Sequence, residues 1–321
     1  MLSIIITHYR TPNVLKLSLE YFQRACAQLE PGENSEIIVA DSGTESSTRD
    51  MMAGFCSSLV IGEEHLERSE VTRGELNRTK SKGNSILYLP EEKNVGYAKA
   101  VNRGISIARG NFIFVANADL IASDATIFKT LLAYMRENPD VGIVAPRLLN
   151  FNGTVQHSAF RYYTLATIIA RRTFLGKTSW GKKLLKDFAL EDIMAHIAKP
   201  IPVDWLMGSA LLIRKSALDK VGLLDETFFM YMEDVDWCRR FWDNGYKVIY
   251  NPEASAHHYH FQASKKTGGL LDLLLNPYTR MHARSAFVYF KKYGLSAPNH
   301  RPPVDEADAR LVREIASNET R

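Results

Sequence analysis

The chain has 321 residues, of which 45% are hydrophobic and 24% are charged, and this composition is typical of a globular protein with a sizeable core. Disordered and collagen-like chains are therefore excluded. The net charge of +4 is too small to predict a protein that coats nucleic acid, and no nucleic-acid partner is expected.

Short β-branched runs alternate with stretches of helical periodicity in the first half of the chain. The predicted strands are Ser3–Thr7, Glu36–Ala40, Ile86–Leu89 and Phe112–Ala116, and the predicted helices are Val14–Cys26, Thr48–Ser57, Gly96–Ala108 and Ala125–Arg136. This alternation predicts an α/β fold with a mostly parallel central sheet flanked by helices. The charged stretch Gly62–Ser85 is predicted to be a surface insertion or loop without chemistry.

The second half of the chain is less regular. A strand-like run is predicted at Val203–Arg214, a helix at Glu233–Trp242, a strand at Lys247–Tyr250 and a helix at Tyr278–Tyr293. Between Phe160 and Lys186 there are seven basic residues and no acidic ones, so this segment carries the whole positive excess of the chain.

Polar residues follow four of the predicted strands: Thr7-His8-Tyr9, Asp41-Ser42, Asn94 with Gly96, and Asn117-Ala118-Asp119. Ligands of such sheets bind at the carboxyl ends of the strands, although turn formation is the competing explanation for each tip. Asp119 differs because a carboxylate after a wholly apolar strand is costly unless it binds something. The chain has no glycine-rich phosphate motif, so a divalent cation, Mg²⁺ or Mn²⁺, is predicted to hold any phosphates, with Asp119 and a later histidine as ligands.

Three acidic residues, Glu233, Asp234 and Asp236, cluster at a predicted helix start directly after an aromatic run. The helix dipole and an i,i+4 pair between Asp236 and Arg240 account for one or two of them. Glu233 and Asp234 are less easily explained in this way, and a carboxylate beside aromatic residues can have its pKa raised toward use as a general base.

Three histidines lie in the segment His257-His258-Tyr259-His260. In an extended strand His258 and His260 share a face and His257 points to the opposite one. Packed core histidines and a metal contact are both consistent with this pattern.

Taken in chain order, these pieces resemble the inverting family-2 glycosyltransferases with the GT-A fold. The matching stretches are Ser3–Tyr9, Ile38–Ser42, Asn94–Ala98 with Asn102-Arg103-Gly104, Phe114–Asp119, Trp205–Ser209 and, most specifically, Gly222–Glu226 through Phe228–Asp236 to Gly245-Tyr246 and Pro252–Ala254. The resemblance covers roughly residues 2–294.

The resemblance implies a role for each matching residue. Nucleotide-sugar contacts fall on Thr7, Tyr9, Asp41, Asn94, Gly96, Asn102, Asn117 and Asp119, and the metal ligands on Asp119 and His258. Asp234 takes the place of the catalytic base, Glu233 would orient the acceptor or the base, and Trp205 and Gly208 lie on the acceptor side. Two departures from the family pattern are Asn117, at the first acid of the D-x-D motif, and Arg10, where asparagine is usual.

The resemblance also implies a domain organisation. Residues 1–262 would form the catalytic domain, with a nucleotide-sugar-binding half at 1–149 and an acceptor and catalytic half at 150–262 that contains a basic helical insert at 160–187. Residues 263–321 would form a C-terminal helical extension and polar tail.

The segment around the basic insert resembles the branch of the family that builds bacterial surface polysaccharide, including rhamnosyltransferases. This predicts transfer of a sugar from a dTDP- or UDP-sugar, with L-rhamnose from dTDP-rhamnose expected, to a lipid-linked or oligosaccharide acceptor. Bases interleaved with apolar residues in 160–186 suit an anionic membrane surface, whereas a solvated helix or an oligomer contact is the competing explanation.

The three cysteines lie far apart and no apolar run approaches the ~18 residues of a membrane span, so we expect a cytoplasmic protein, peripheral on the inner face of the cell membrane. Three alternatives stay open. They are a UDP-hexose-using transferase of the same family, a binding protein impaired through Asn117, and a sugar-1-phosphate nucleotidyltransferase. The last would need a glycine-rich basic loop after the first strand, which Thr7–Arg10 does not provide.

Overall fold

The computed structural model describes residues 1–59, 77–80, 84–259 and 276–295. Most of the charged stretch Gly62–Ser85 lies outside these residues, as do His260 and the parts 263–275 and 296–321 of the predicted C-terminal extension.

Four parallel strands form the N-terminal half of the central sheet. They are β1 (Leu2–His8), β2 (Ser35–Asp41), β4 (Asn84–Leu89) and β5 (Phe112–Asn117), and β1 pairs with both β2 and β5. Strand β3 (Asn77–Lys80) adds an antiparallel edge to β4, so the prediction of a loop through Gly62–Ser85 was wrong at that point. The polar sequence of β3 suits a sheet edge and hides its strand character.

Helices α1 (Pro12–Ala27), α2 (Ser46–Ser58), α3 (Tyr97–Ile107) and α4 (Thr126–Glu137) confirm the four helices predicted for this half. In α1 the buried residues Leu15, Leu19 and Phe22 recur at helical spacing and pack on one face of the sheet. Core residues lie on both faces of the sheet, which is why β1 is apolar along its length and Ile4, Ile5 and Ile6 have no exposed surface.

The rest of the sheet is mixed. Strand β6 (Leu120–Ile121) and β7 (Val141–Leu149) precede β11 (Ala210–Arg214) and β12 (Lys247–His258) in sequence. Strand β11 lies antiparallel between β5 and β7, whereas β12 runs parallel to β7 and antiparallel to β6. The prediction of a mostly parallel central sheet flanked by helices is confirmed, and the strand predicted at Lys247–Tyr250 continues to His258.

Three two-residue strands complete the architecture. Strand β8 (Ala159–Phe160) pairs with β10 (Trp205–Leu206), and β9 (Ile201–Pro202) pairs with β12. The prediction of one continuous run at Val203–Arg214 was wrong, because the chain leaves the ladder between β10 and β11. There Met207 N donates to Ser158 O at 2.8 Å and Gly208 N donates to the Asp234 carboxylate at 3.0 Å.

A helical insert occupies residues 165–196. It consists of α5 (Leu165–Arg172), a 3₁₀ turn (Phe174–Lys177), α6 (Ser179–Phe188) and α7 (Glu191–His196). Thr164 and Thr178 cap α5 and α6 by accepting from backbone N–H groups. Within the described residues, no helix is both long enough and apolar enough to span a bilayer.

Helices α8 (Leu218–Val221), α9 (Glu233–Asp243) and α10 (Pro277–Tyr293) complete the described chain. The fully buried Asp236 carboxylate joins α9 to α10, since Lys292 Nζ and Tyr293 Oη each donate to Oδ1 at 2.7 Å. Its Oδ2 accepts from Arg240 Nε at 2.8 Å, so the predicted pair of Asp236 with Arg240 is confirmed. Asp236 therefore has a structural role in anchoring the C-terminal helix.

Candidate active site

The polar residues that follow the parallel strands lie along one edge of the sheet, where β1, β2 and β5 end. Thr7 Oγ1 is 3.4 Å from Asn117 Oδ1, and Ala118 N donates to Thr7 O at 3.0 Å. Asn117 N in turn donates to Ser209 O at 3.1 Å. The β5 tip is thus joined both to β1 and to the segment that carries Gly208.

The Asp41 carboxylate at the end of β2 is satisfied by donors from the protein itself. Its Oδ1 accepts from His8 Nδ1 at 2.9 Å and from Thr44 Oγ1 at 2.5 Å, and its Oδ2 accepts from Tyr88 Oη. These donors, with His8 the first, outweigh burial and hold the pKa of Asp41 below its ordinary value. The side chain has no exposed surface, so its role in reading the nucleotide base stays a prediction.

The β1 tip places two exposed side chains beside this cluster. Tyr9 is 42% exposed, and the guanidinium of Arg10 lies over its ring at 5.2 Å. Arg10 has a left-handed backbone with φ 54° and donates from Nε to Gly43 O at 3.2 Å. Arg10, which stands where the resembled family usually has asparagine, thus places a positively charged guanidinium at the end of β2.

Asn94 and Gly96 lie directly before the first residue of α3. Asn94 Oδ1 accepts from Ser42 Oγ at 3.2 Å and from Gly96 N at 3.0 Å, and the Asn94 side chain is exposed. Gly96 has φ +84°, and a Cβ there would lie 2.4 Å from Phe229 O, so only glycine fits.

Asn102 lies further along α3, and its amide is engaged by the loop that precedes α9. Its Nδ2 donates to Leu224 O at 2.9 Å and to Glu226 Oε1 at 3.0 Å, and its Oδ1 accepts from Leu224 N at 3.0 Å. These contacts give Asn102 a scaffold role, and its proximity to the ribose stays a prediction.

Asp119 and His258 face one another because β6 pairs with the end of β12. His258 Nε2 lies 3.3 Å from Asp119 Oδ1, with the imidazole 3% exposed and the carboxylate 26% exposed. The backbone fixes this approach, since Tyr259 N donates to Asp119 O at 3.0 Å.

Gln156 sets the orientation of the His258 ring. Its Nε2 donates to Asn150 Oδ1 and to His258 O, both at 2.7 Å, so its Oε1 must be the atom 2.9 Å from His258 Nδ1. The hydrogen of the neutral ring is therefore on Nδ1, and the lone pair of Nε2 faces the Asp119 carboxylate. Two acceptors at this distance need a cation between them or a second proton on the ring.

This donor set fits a divalent cation. One carboxylate and one imidazole are ligands of the kind found at Mn²⁺ and related metal sites, and the outer nitrogen of the imidazole is held by an amide oxygen, as at established metal sites. The described part of the chain offers no group of three or more His, Cys, Asp or Glu side chains that could hold a metal. Among the described residues, Asp119 and His258 are the pair that would hold the cation.

Asp234 lies in the first turn of α9 and is partly buried. Gly208 N donates to its Oδ2 at 3.0 Å and Val235 N donates to its Oδ1 at 2.9 Å. Removal from water raises the pKa of Asp234 to about 6 despite these hydrogen bonds, which act in the opposite direction. The carboxylate is therefore a stronger proton acceptor than an ordinary aspartate and is still ionised at neutral pH.

Glu233 is buried beside Asp234. Burial first, and then the charges of Asp234 and Asp236, raise the pKa of Glu233 well above its ordinary value. Its Oε2 has no hydrogen-bond partner within the described residues, and a buried oxygen without a donor favours the neutral acid. The two neighbouring acids thus differ in environment, which suits them to different roles.

Gly208 and Trp205 differ in how they relate to this carboxylate. Gly208 bridges Asp234 and α3, because its carbonyl oxygen accepts from Tyr97 Oη at 2.5 Å. Trp205 is only 5% exposed, stacks on Phe160 with ring centroids 4.5 Å apart and donates from Nε1 to Arg161 O at 2.7 Å. Trp205 is therefore a packed core residue in this structure, and its role on the acceptor side stays a prediction.

The structure brings most of the predicted site residues into contacting pairs: Thr7 with Asn117, Asn94 with Gly96, Asp119 with His258, and Gly208 with Asp234. Sequence reasoning assigned no role to Gln156 or Tyr97. Gln156 lies just after a hairpin whose turn is at Asn152-Gly153, and only its burial at 6% exposure marks it as unusual for its residue type.

Comparisons with known proteins agree with this geometry. The sequence model of the family described as "Glycosyl transferase family 2" matches residues 3–238. The N-acetylglucosaminyl-diphospho-decaprenol L-rhamnosyltransferase of Mycobacterium tuberculosis is 31% identical over 186 residues, which cover 54% of this chain and 59% of that protein. The rhamnosyltransferase WbbL of Escherichia coli is 27% identical over 165 residues, covering 48% of this chain and 60% of WbbL. The matched part thus spans less than two thirds of either relative.

Among solved structures, the mannosyltransferase PcManGT of Pyrobaculum calidifontis, in complex with GDP-mannose and Mn²⁺, has a TM-score of 0.50 and 12% sequence identity. The alignment covers all of this chain and 80% of that one. The fold is of the GT-A type, as the sequence predicted.

Proposed function

The chain belongs to glycosyl transferase family 2, and from this premise we propose that it is an inverting transferase that moves a sugar from a nucleotide-sugar to a glycan acceptor with Asp234 as the catalytic base. The observation that carries the proposal is the Asp234 carboxylate, held by Gly208 N in a partly buried setting that raises its pKa to about 6.

Direct displacement with inversion requires one base to take the proton of the attacking hydroxyl. Asp234 Oδ1 and Oδ2 are fixed by the N–H groups of Val235 and Gly208, so the carboxylate cannot rotate freely. The neutral Glu233 beside it adds no second negative charge and would orient the base or the acceptor. Gly208 packs closely against Tyr97, because a Cβ at this position would lie 3.0 Å from Tyr97 Oη.

Asp119 and His258 would hold the cation that, when bound, neutralises the charge of the departing nucleoside diphosphate. A nitrogen ligand favours Mn²⁺ over Mg²⁺, since Mg²⁺ is bound almost entirely by oxygen. Thr7, Tyr9, Asn94, Gly96 and Asn117 line the strand tips where the nucleotide would lie, with Asp41 holding the β1 and β2 tips together.

The relatives that match this chain point to rhamnose and to a lipid-linked acceptor, so we propose dTDP-rhamnose as donor and a polyprenyl-diphosphate glycan as acceptor. Purified protein would be incubated with dTDP-, UDP- and GDP-sugars and either Mn²⁺ or Mg²⁺, and release of nucleoside diphosphate would be measured. We expect release from dTDP-rhamnose. Preference for a UDP-hexose would replace the donor assignment, and no reaction with any donor would contradict the function.

The helical insert presents apolar and basic residues together at the surface. Leu165, Ile169, Phe174 and Trp180 are 45%, 39%, 76% and 57% exposed, and Lys177, Lys182, Lys183 and Lys186 are exposed among them. Arg161 and Arg171 instead contact the protein, through Asp204 at 3.2 Å and over the ring of Tyr163 at 5.6 Å. We propose that the four lysines and the apolar side chains contact the anionic lipids at the inner face of the cell membrane.

Flotation with liposomes that contain anionic lipid tests this contact. Changing the four lysines of the insert to Gln should abolish binding, because each base near an anionic surface contributes about 1 kcal/mol. A control with Lys93, Lys129, Lys220 and Lys247 changed to Gln, all exposed and outside the insert, should still bind. Equal loss in both variants, or no binding by the parent, would remove the membrane assignment.

We also propose the division into a nucleotide-sugar half at residues 1–149 and an acceptor and catalytic half at 150–262. The contacts that join them, Asn117 N to Ser209 O and Tyr97 Oη to Gly208 O, lie at the site itself.

A further inference from the structure

Helix α10 (Pro277–Tyr293) lies beyond the residues matched by the family model, which end at 238. It nevertheless contacts the turn that leads into the catalytic helix α9. Ser285 Oγ donates to Met230 O at 2.9 Å, and the His282 ring lies 5.0 Å from the ring of Tyr231.

This turn has an unfavourable backbone. Tyr231 and Met232 are consecutive non-glycine residues with φ 72° and 70°, directly before Glu233 and Asp234. Left-handed conformations are unfavourable for non-glycine residues, and they persist only where surrounding contacts enforce them. Contacts from other elements must therefore hold Tyr231 and Met232 in this conformation.

Two neighbouring carbonyl groups of the turn are held from different elements. Phe229 O accepts from Tyr97 N at 2.8 Å, which ties the turn to α3 on the donor side. Met230 O accepts from Ser285 Oγ, which ties the next residue to α10. The left-handed residues begin immediately after the second of these anchors.

We propose that Ser285 and His282 of α10 are positioning residues that keep the turn at Met230–Met232 in its left-handed conformation, so that Asp234 stays against Gly208. The proposal rests on the assignment of Asp234 as the base. His282 packs on the ring of Tyr231 and Ser285 fixes the preceding carbonyl, so the turn is constrained through both side chain and backbone.

The other end of α10 is attached to α9 by two hydrogen bonds, so removal of one of them leaves the helix attached through the other. Lys292 Nζ and Tyr293 Oη both donate to Asp236 Oδ1, two residues beyond Asp234. His282 also contacts Tyr163, at 6.4 Å between ring centroids, next to the helical insert. Relaxation of the turn would rotate the first turn of α9 and lengthen the 3.0 Å bond from Gly208 N to Asp234 Oδ2.

The test compares Ser285→Ala with Ser285→Thr, which keeps a hydroxyl, and with Tyr293→Phe, which removes one hydrogen bond of α10 away from the turn. Ser285→Ala should lower kcat between about tenfold and a hundredfold with KM for the donor unchanged, since small displacements of a reacting group have effects of this size. Ser285→Thr should recover most of the activity, and Tyr293→Phe should keep it.

A pH profile separates positioning from a loss of stability. The acid limb of kcat/KM should move to higher pH in Ser285→Ala, because the Asp234 carboxylate loses part of the Gly208 hydrogen bond that stabilises its charged form. Thermal unfolding of each variant would set an assay temperature at which all are folded, and His282→Leu provides a second variant if Ser285→Ala folds poorly. We expect His282→Leu to show the same fall in kcat.

Wild-type kcat and pH profile in both Ser285→Ala and His282→Leu would overturn the proposal, as would an equal loss in Tyr293→Phe. Parallel assay of Asp234→Asn identifies which assignment has failed. If Asp234→Asn is inactive and the α10 variants are unaffected, only the positioning role of Ser285 and His282 is wrong. If Asp234→Asn keeps full turnover, the assignment of the base is wrong, and the positioning role that depends on it is wrong as well.

Discussion

The end of β2 and the start of α9 each present an aspartate, and the two have opposite surroundings. Asp41 receives hydrogen bonds from His8, Thr44 and Tyr88, and its pKa is lowered. Among the described residues Asp234 receives only backbone N–H groups, its side chain is partly buried, and its pKa is raised to about 6. The comparison teaches that the donors around a carboxylate, rather than its residue type, set the direction in which its pKa moves.

The largest expected effect is on turnover. Asp234→Asn should lower kcat by about a thousandfold, within the range for loss of a general base, while binding of the nucleoside diphosphate is kept. Transfer rates and calorimetric titration measure the two quantities. Asp243→Asn, which removes an acid from the far end of the same helix, is the matched control and should behave as wild type. Equal activity in wild type, Asp234→Asn and Asp243→Asn would contradict a catalytic role for Asp234.

Asp41→Asn should have its main effect on stability. An amide replaces one acceptor oxygen by a donor, so at least one of the buried donors from His8, Thr44 and Tyr88 loses its partner, at a cost of about 2–3 kcal/mol. Thermal or urea unfolding at neutral pH measures this loss. Unchanged stability would show that these three hydrogen bonds do not hold the two strand tips together.

Much of this arrangement could be predicted from the sequence. Runs such as Ser3–Thr7 marked buried strands, and the strand ends located the polar tips, because both signals are local. The pairing of two-residue strands such as β8 with β10 depends on residues distant in sequence and left no periodic signal. The left-handed turn at Tyr231 and Met232 contains no glycine to mark it.

The candidate site shows the same limit. The acids at 233 and 234 and the histidine at 258 were visible as clusters. Gln156 and Ser285 contact residues that are distant in sequence, His258 and Met230, and nothing in their neighbouring residues indicates these partners. The sequence also suggested that Asp41 faces the ligand, whereas the donors that surround it come from three separate segments.

A third carboxylate, that of Asp119, differs from both Asp41 and Asp234 because Nε2 of His258 faces it at 3.3 Å. Gln156→Leu should weaken Mn²⁺ binding about 10–100-fold, since the ring loses the group that fixes its tautomer. Binding would be followed by calorimetry or by the electron paramagnetic resonance of Mn²⁺ with a nucleoside diphosphate present. Asn152→Ala, on the same hairpin, should leave the affinity unchanged. Equal affinity in Gln156→Leu would show that the Gln156 contact has no role in metal binding.

The smallest effect is on the pH dependence of stability. Because folding raises the pKa of Asp234 from 3.8 to about 6, the stability associated with its neutral form is present at low pH and is lost as the pH rises through 6. Asp234→Asn stays neutral, so between pH 4 and pH 7.5 its stability relative to wild type should rise by about 1 kcal/mol, or roughly 2–4 °C in Tm, after allowance for the partial exposure of Asp234. The hydrogen bond from Gly208 N or Val235 N that the amide loses lowers the stability of the variant at both pH values, so it does not produce this rise. A stability difference that is the same at both pH values would contradict the raised pKa.

The pH dependence of kcat/KM for sugar transfer tests the central assignment most directly, because it reports the ionisation of the base in the free enzyme. With Asp234 as the base, kcat/KM should be level above neutral pH and fall tenfold per pH unit below about pH 6. A profile that stays level down to pH 4.5 in the folded protein would contradict Asp234 as the base.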